Sequence, residues 1–402
     1  PLGDNIKTMG RRFLDQGYRT AYVGKWHLDG QDYFGTGICP DGWDDAYWYD
    51  DKRYMDELSE SEIAPWRKGL DSVDPLRAHD IQPGLTWAHR VSDRAIDFLQ
   101  GQPGEEPFLL VVSYHEPHYP FTCPPAYAEM FAQYDHPLGP GAYDSLEGKP
   151  AHQREWAEAE NVHLEHGRIR HPLYFGCNSF VDREIGRVID AAHQFCPDNT
   201  TIIFTCDHGD MLGAHRLSGK GPVMYEEITH MPLIVEEPGG AGAGTDNATL
   251  VSHVDLLRTM LEIAGLDVPP ILEGQSLVPM LRGEEDAERN AVMEFHRTVL
   301  GSDSWGGFQP VRSIIPLQAG HQPAAHRRAV RPGGGPGRGR QPDGRSRPWR
   351  GAECAARPLG RLDVREARPL PRPLLGAQAL ARGEALPVDG NVPPLPRRRL
   401  RT

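Results

Sequence analysis

Apolar positions along the chain fall into alternating helical and strand-like stretches. In residues 5–16, Ile6, Met9, Phe13 and Leu14 recur at helical spacing, and Gly17 is suited to end that helix. The run GYRTAYVGKWHLDG at 17–30 then reads as a strand. VSDRAIDFLQG predicts an amphipathic helix with Val91, Ala95, Ile96 and Leu99 inward. PFLLVVSY (107–114) is a continuous apolar run of the kind that fills the middle of a parallel sheet. The long helical pattern FVDREIGRVIDAAHQF precedes a buried strand, TTIIFTC (200–206). MPLIVEEP (231–238) predicts a further strand, and VDLLRTMLEIAGL (254–266) a helix ending at Gly265. Helix and strand alternate, so the expected fold is α/β, a mixed, mostly parallel sheet with helices on both faces. The acidic, aromatic segment DGWDDAYWYDDKRYMDE (41–57) shows neither period. It reads as a loop, either facing substrate or standing in solvent.

Ligands in such sheets bind beyond the carboxyl ends of the strands. Each polar cluster falls at such an end: KWH after AYVG, HEPH after LVVSY, DHGD after IIFTC. Side chains alternate along a strand, which predicts Lys25 and His27 on one face, a cation beside a proton-transfer group. His115 and His118 close a buried strand, with Pro117 and Pro120 stiffening the loop. Asp207 and His208 are plausible ligands for Ca²⁺, Mn²⁺ or Mg²⁺, and Gly209 allows the tight turn they need. Asp210 suits a helix cap and is not assigned to metal. Lys220, in the turn SGKG, offers a point charge to an anionic ester, and His215, able to touch substrate or orient a neighbour, is left unassigned. Each of these features alone also fits an ordinary surface polar group; their shared placement favours function.

Charge divides the 402-residue chain sharply. Residues 1–320 carry 25 Lys plus Arg against 50 Asp plus Glu, whereas residues 321–402 carry 18 against 6. All 18 of those tail cations are arginine, set among 13 prolines and 11 glycines. A basic arm for nucleic acid or a membrane surface, or a segment unable to bury a core, would share this composition. Arg, Pro, Gly and Ala without Lys is also what GC-rich DNA yields out of frame, and a frameshift close to Ile315 is the expectation adopted. The six cysteines are scattered without a CxxC pair, which excludes a disulfide framework or a cysteine zinc site. No run of 18 apolar residues suggests a membrane span, and no leader-like segment opens the chain. A cytoplasmic location is expected.

Taken together, G-Y-x-T-x-x-x-G-K-x-H at 17–27, the strand with HxPH at 108–121, D-H-G-D-x-L-G-x-H-x-x-x-x-K-G-P at 207–222 and Y-E-E-x-x-x-x-P-L-I at 225–234 resemble the sulfatase family of the alkaline phosphatase superfamily. The resemblance runs from residue 5 to about 313. It is nearest the branch of phosphonate monoester hydrolases and bacterial arylsulfatase- and choline-sulfatase-like enzymes. It implies an alkaline-phosphatase-like sheet and a divalent metal, Ca²⁺ first, held in part by Asp207 and His208. It also implies Lys25 and Lys220 on the sulfate or phosphate oxygens, His118 protonating the leaving alcohol, and His27 supporting the nucleophile's side. The expected domains are a truncated α/β domain (1–285), the start of a small α+β C-terminal subdomain (286–320) and the tail (321–402).

Members of this family begin with a strand ending in paired acidic metal ligands. A C/S-x-P-x-R motif follows, whose Cys or Ser becomes the formylglycine nucleophile. No such pair precedes the KWH strand, and none of the six cysteines stands in that motif. The expectation is an N-terminally truncated, inactive hydrolase of small-molecule sulfate esters. Phosphonate monoester or phosphodiester hydrolysis, and noncatalytic binding of anionic esters, are the alternatives. Neither a nucleic-acid partner nor a membrane span is expected, and homo-oligomerisation is left open.

Overall fold

The computed structural model describes residues 6–28, 35–68, 72–102, 106–162, 164, 166–196, 199–240, 242–284, 291–297 and 309–315. These residues belong to one compact unit spanning 1–298 and 302–317. The expected tail and frameshift lie outside the described residues.

Three strands run parallel in the order β2-β1-β3: β1 (Arg19–Gly24), β2 (Trp48–Tyr49) and β3 (Phe108–Ser113). Strand pairing puts β1, rather than the more continuously apolar β3, at the centre. The reason is burial on both faces: Ala21, Tyr22 and Val23 are all buried, whereas β3 is mostly half-buried. The two-residue period of a strand sends Tyr22, Leu109 and Val111 into one cluster. There they meet Phe13 of the helix Met9–Leu14 and Leu257, Met260 and Leu261 of the helix His253–Ile263. Ala21, Val23, Leu110 and Val112 face the opposite way, against Val91 and Phe98 of the helix Trp87–Gln100. Helices thus cover both faces, as the alternation of the sequence requires.

Behind Trp87–Gln100 lies the long helix Pro172–Phe195. Glu184, 1% exposed, joins them through Arg187 and His89, and Ser92 Oγ donates to its backbone oxygen. The remaining strands form antiparallel pairs: β4 (His136–Pro137) with β5 (Arg168–Ile169), β6 (Ile202–Thr205) with β7 (Leu233–Glu236), and β8 (Ala291–Arg297) with β9 (Gln309–Ile315). The last hairpin occupies the segment expected to open the C-terminal subdomain.

Three local expectations are corrected. The first helix spans only Met9–Leu14, and Ile6 and Leu14 are exposed, although Gly17 does take the left-handed φ of 86° that ends it. Ile96 is only partly buried, and Phe98, absent from the expected inward face, is fully buried. Segment 41–57 is not a loop in solvent. It carries the 3₁₀ turn Asp45–Tyr47, strand β2 and the helix Asp51–Glu57, and it buries Trp43, Trp48, Tyr49 and Tyr54. Aromatic bulk outweighed its charges: Trp43 packs edge-on against Tyr22 and Trp26 of the β1 region, and Trp48 lies edge-on to Trp26 and tilted on Tyr22. Among the described residues, no helix is long and apolar enough to cross a membrane.

Candidate active site

Lys25 leaves the end of β1 under tight control. Its N–H donates to Ser113 O at 2.9 Å, so the last residue of β3 fixes where the lysine emerges. Gly24 makes this approach possible, since a Cβ there would lie 1.9 Å from Ser113 O. The strand stops at Gly24, and the alternation argument for Lys25 and His27 fails with it. His27 is exposed and has a left-handed φ of 51°, so it sits on no strand face.

The HEPH loop leaves the neighbouring strand. His115 Nδ1 lies 3.1 Å from Asp51 Oδ1, both groups nearly buried, and its ring packs edge-on at 5.0 Å from that of His118. Asp51 comes from the segment read as a loop, and no motif in the sequence marked it. His118 Nδ1 lies 2.8 Å from Tyr119 O, which makes Nδ1–H the donor and leaves Nε2 as the atom able to exchange a proton. Burial lowers the His118 pKa to about 4; the bond to Tyr119 opposes this, while the positive fields of His115, Lys220 and Lys25 add to it. The charges of the two sequence-distant lysines thus reach one imidazole.

The third loop follows β6. Gly209 donates to Ile228 O at 2.9 Å, and a Cβ on it would lie 1.9 Å from Glu227 O, so the turn accepts only glycine. Asp210 does not cap a helix. Its Oδ1 accepts from Leu212 and Gly219 N–H at 2.8 and 3.1 Å, tying both arms of the following loop together. Lys220 Nζ lies 2.8 Å from His208 Nε2, while His208 Nδ1 lies 2.8 Å from Gly209 O. An ammonium can only donate, so His208 is the neutral tautomer with Nδ1–H on Gly209 and a lone pair at Nε2. Asp207 Oδ2 stands 3.2 Å from that same Nε2. Two lone-pair donors about 3 Å apart have the spacing of adjacent ligands around a divalent cation.

Contacts thus join His115 with His118, and Lys220 with Asp207 and His208, while the charges of Lys25 and Lys220 both reach His118; His27 stands two residues after Lys25. Two donors fall well short of the 6–8 that Ca²⁺ takes. Among the described residues, no group of three or more His, Cys, Asp or Glu is arranged to hold a metal ion. Sequence reading passed over Asp144, whose Oδ2 lies 2.7 Å from His215 Nδ1, because GAYDSLEG carries no signal of a remote partner.

The fold and these three loops define a class. The family model for sulfatases matches residues 1–266, and the chain belongs to the sulfatase family of the alkaline phosphatase superfamily. Among its relatives is uncharacterized sulfatase YidJ of Escherichia coli (strain K12), 51% identical over 316 residues, which span 78% of this chain and 62% of that protein. Choline-sulfatase of Rhizobium meliloti is 29% identical over 71% of this chain and 58% of its own length. The chain thus spans about three-fifths of the length of these relatives. Its fold is also similar to that of the phosphonate monoester hydrolase of Agrobacterium radiobacter, with a TM-score of 0.57 at 22% identity, over 79% of this chain and 75% of that one.

Proposed function

We propose that this chain carries the anion-binding and leaving-group side of a sulfuric ester hydrolase. One observation carries the reading: Lys25 and Lys220, 195 positions apart in sequence, both act on the His118 imidazole, and Lys220 in turn contacts the Asp207–His208 pair. Two ammonium groups whose charges reach one imidazole suit an ester oxyanion, whose charge they would stabilise as the ester oxygen departs. Bound sulfate offsets the lysine fields that help hold His118 unprotonated, raising the proton affinity of Nε2 when the leaving oxygen needs a proton.

Asp207 and His208 would hold one side of a divalent metal, Ca²⁺ first, which supplies positive charge against the sulfate oxygens. His208 Nε2 has a single lone pair, so it would serve either such a metal or the Lys220 ammonium. In the whole protein the attacking group is a formylglycine hydroxyl, as the family resemblance implies. The serine form of its motif occurs once in this chain, as SRPWR at 346–350. That run stands after the site loops instead of before them, outside the described residues, and no nucleophile is assigned to it.

Calorimetric titration with inorganic sulfate tests the reading. The 402-residue chain is expected to bind sulfate, and Lys25→Ala or Lys220→Ala to weaken binding about tenfold each, the worth of one charge-assisted contact. Unchanged affinity in both variants would overturn the proposal. The same chain is expected to show no turnover of p-nitrophenyl sulfate. Hydrolysis that survives purification and disappears in Lys220→Ala would show that it holds its own nucleophile.

A further inference from the structure

His215, to which neither the motif reading nor the proposed chemistry gives a role, stands at a telling position. It lies five residues before Lys220, and Tyr225 lies five residues after. Their rings stack nearly parallel, with centroids 3.8 Å apart and an interplanar angle of 10°. This contact closes residues 215–225 into a loop with Lys220 at its midpoint. The backbone entering the loop is strained: Leu212, His215 and Arg216 all have left-handed φ, at 43°, 54° and 59°. Non-glycine residues hold such angles only where their surroundings over-determine them.

Those surroundings are on both sides of the His215 ring. Its Nδ1 is fixed by Asp144 Oδ2 at 2.7 Å, and its Nε2 lies 3.9 Å from Glu227 Oε1. Backbone crosses its edge at Gly141, where a Cβ would come within 3.2 Å of Nε2. Tyr225 is held in turn by its hydroxyl donating to Gln153 Oε1 at 2.8 Å. Apolar packing of Met211, Ala214, Leu217 and Val223 with Trp156 also joins the two arms of the loop. The imidazole–phenol stack adds a bridge between residues 215 and 225 themselves.

We propose that His215 is a positioning residue: clasped by Asp144 and stacked on Tyr225, it fixes Lys220 against His208. The clasp acts on Lys220 whatever the ester, but its consequence for anion binding rests on the function proposed above.

Selective ¹³Cε-lysine labelling of the full chain reads the position of Lys220 directly. The Lys220 resonance, identified by its loss in Lys220→Arg, is expected to be displaced by the neighbouring His208 ring. In His215→Ala it should return at least halfway to the exposed-lysine position, while the Lys25 resonance stays in place. Asp144→Asn, nearly isosteric, should do the same and serves where His215→Ala does not fold. A Lys220 resonance unmoved in a folded variant overturns the clasp. Sulfate affinity supplies the second readout. His215→Ala is expected to weaken it about fivefold in the wild-type background and to add nothing in Lys220→Ala, whose remaining affinity comes from Lys25. Equal losses in both backgrounds overturn a role exerted through Lys220. A Lys220 resonance that moves in a chain with no sulfate affinity would support the clasp and overturn the functional reading.

Discussion

Alanine at Gly24 is expected to destabilise the chain by about 4 kcal/mol or more and to lower its melting temperature by roughly 10 °C. Two effects act at this position. Its φ of +129° is outside the range that residues with a Cβ adopt readily, and the new Cβ would stand 1.9 Å from Ser113 O. Strain alone is the smaller effect. Gly17→Ala, with φ +86° and nothing within 4 Å of the new atom, isolates it at about 1 kcal/mol. The collision at Gly24 has no flexible partner, because the obstacle is the backbone oxygen that also receives the Lys25 N–H. Relief requires β1 and β3 to part at the end that delivers Lys25. Calorimetric melting of the two variants side by side checks this, and equal costs for both would refute the collision.

The second large effect concerns Glu116, one residue into the HEPH loop. Its carboxyl is buried, with Oε1 accepting from Ala88 N–H at 2.9 Å and Oε2 without a hydrogen-bond partner. Desolvation raises its pKa from 4.5 to about 8, the hydrogen bond from Ala88 opposing and the charges of Asp51 and Glu184 adding. At neutral pH this glutamic acid is therefore mostly protonated. Between pH 4.5 and 8 the native state keeps a proton that the unfolded chain has released, so stability falls as pH rises. The favourable contribution is complete below pH 4.5 and gone above about pH 8. At about 1.4 kcal/mol per pH unit, tempered by relaxation around the site, the loss is roughly 2–4 kcal/mol.

Glu116→Gln cannot ionise and still offers an oxygen to Ala88. Its melting temperature is expected to gain steadily on the wild type between pH 5 and pH 9. Parallel pH profiles would show that the carboxyl ionises in place at no cost. His118 bears in the opposite direction: its lowered pKa favours folding above pH 6.5 and loses that contribution as pH falls toward about 4. Comparing wild type with Glu116→Gln cancels the His118 contribution, which both proteins share.

The sequence made the alternation of elements legible, and with it the three loop positions at strand ends. Local periodicity was enough for Val91, Ala95 and Leu99, because an amphipathic helix writes its buried face into its spacing. It did not rank the strands. β3 is the more apolar run, yet centrality depends on which neighbours pair, and β2 comes from a segment whose acidic residues hid four buried aromatics. Lys25, His118, Asp207, His208 and Lys220 stood out as candidates through their motifs. Their supports did not. Asp51 under His115 and Asp144 under His215 are 64 and 71 positions from their partners, and a single carboxylate in an acidic chain carries no mark of so distant a contact.

The two lysines hang from parts of the chain that differ in mechanical character. Lys25 extends a strand hydrogen-bonded to neighbours on both sides and roofed by helices on both faces. Lys220 rides a closed ribbon of loop, fastened by two carboxylates, one ring stack and a small apolar plug. Opening β1 means dismantling the sheet, whereas releasing the ribbon leaves the sheet standing. The support of Lys25 is therefore tied to the integrity of the whole sheet, whereas that of Lys220 can yield by itself.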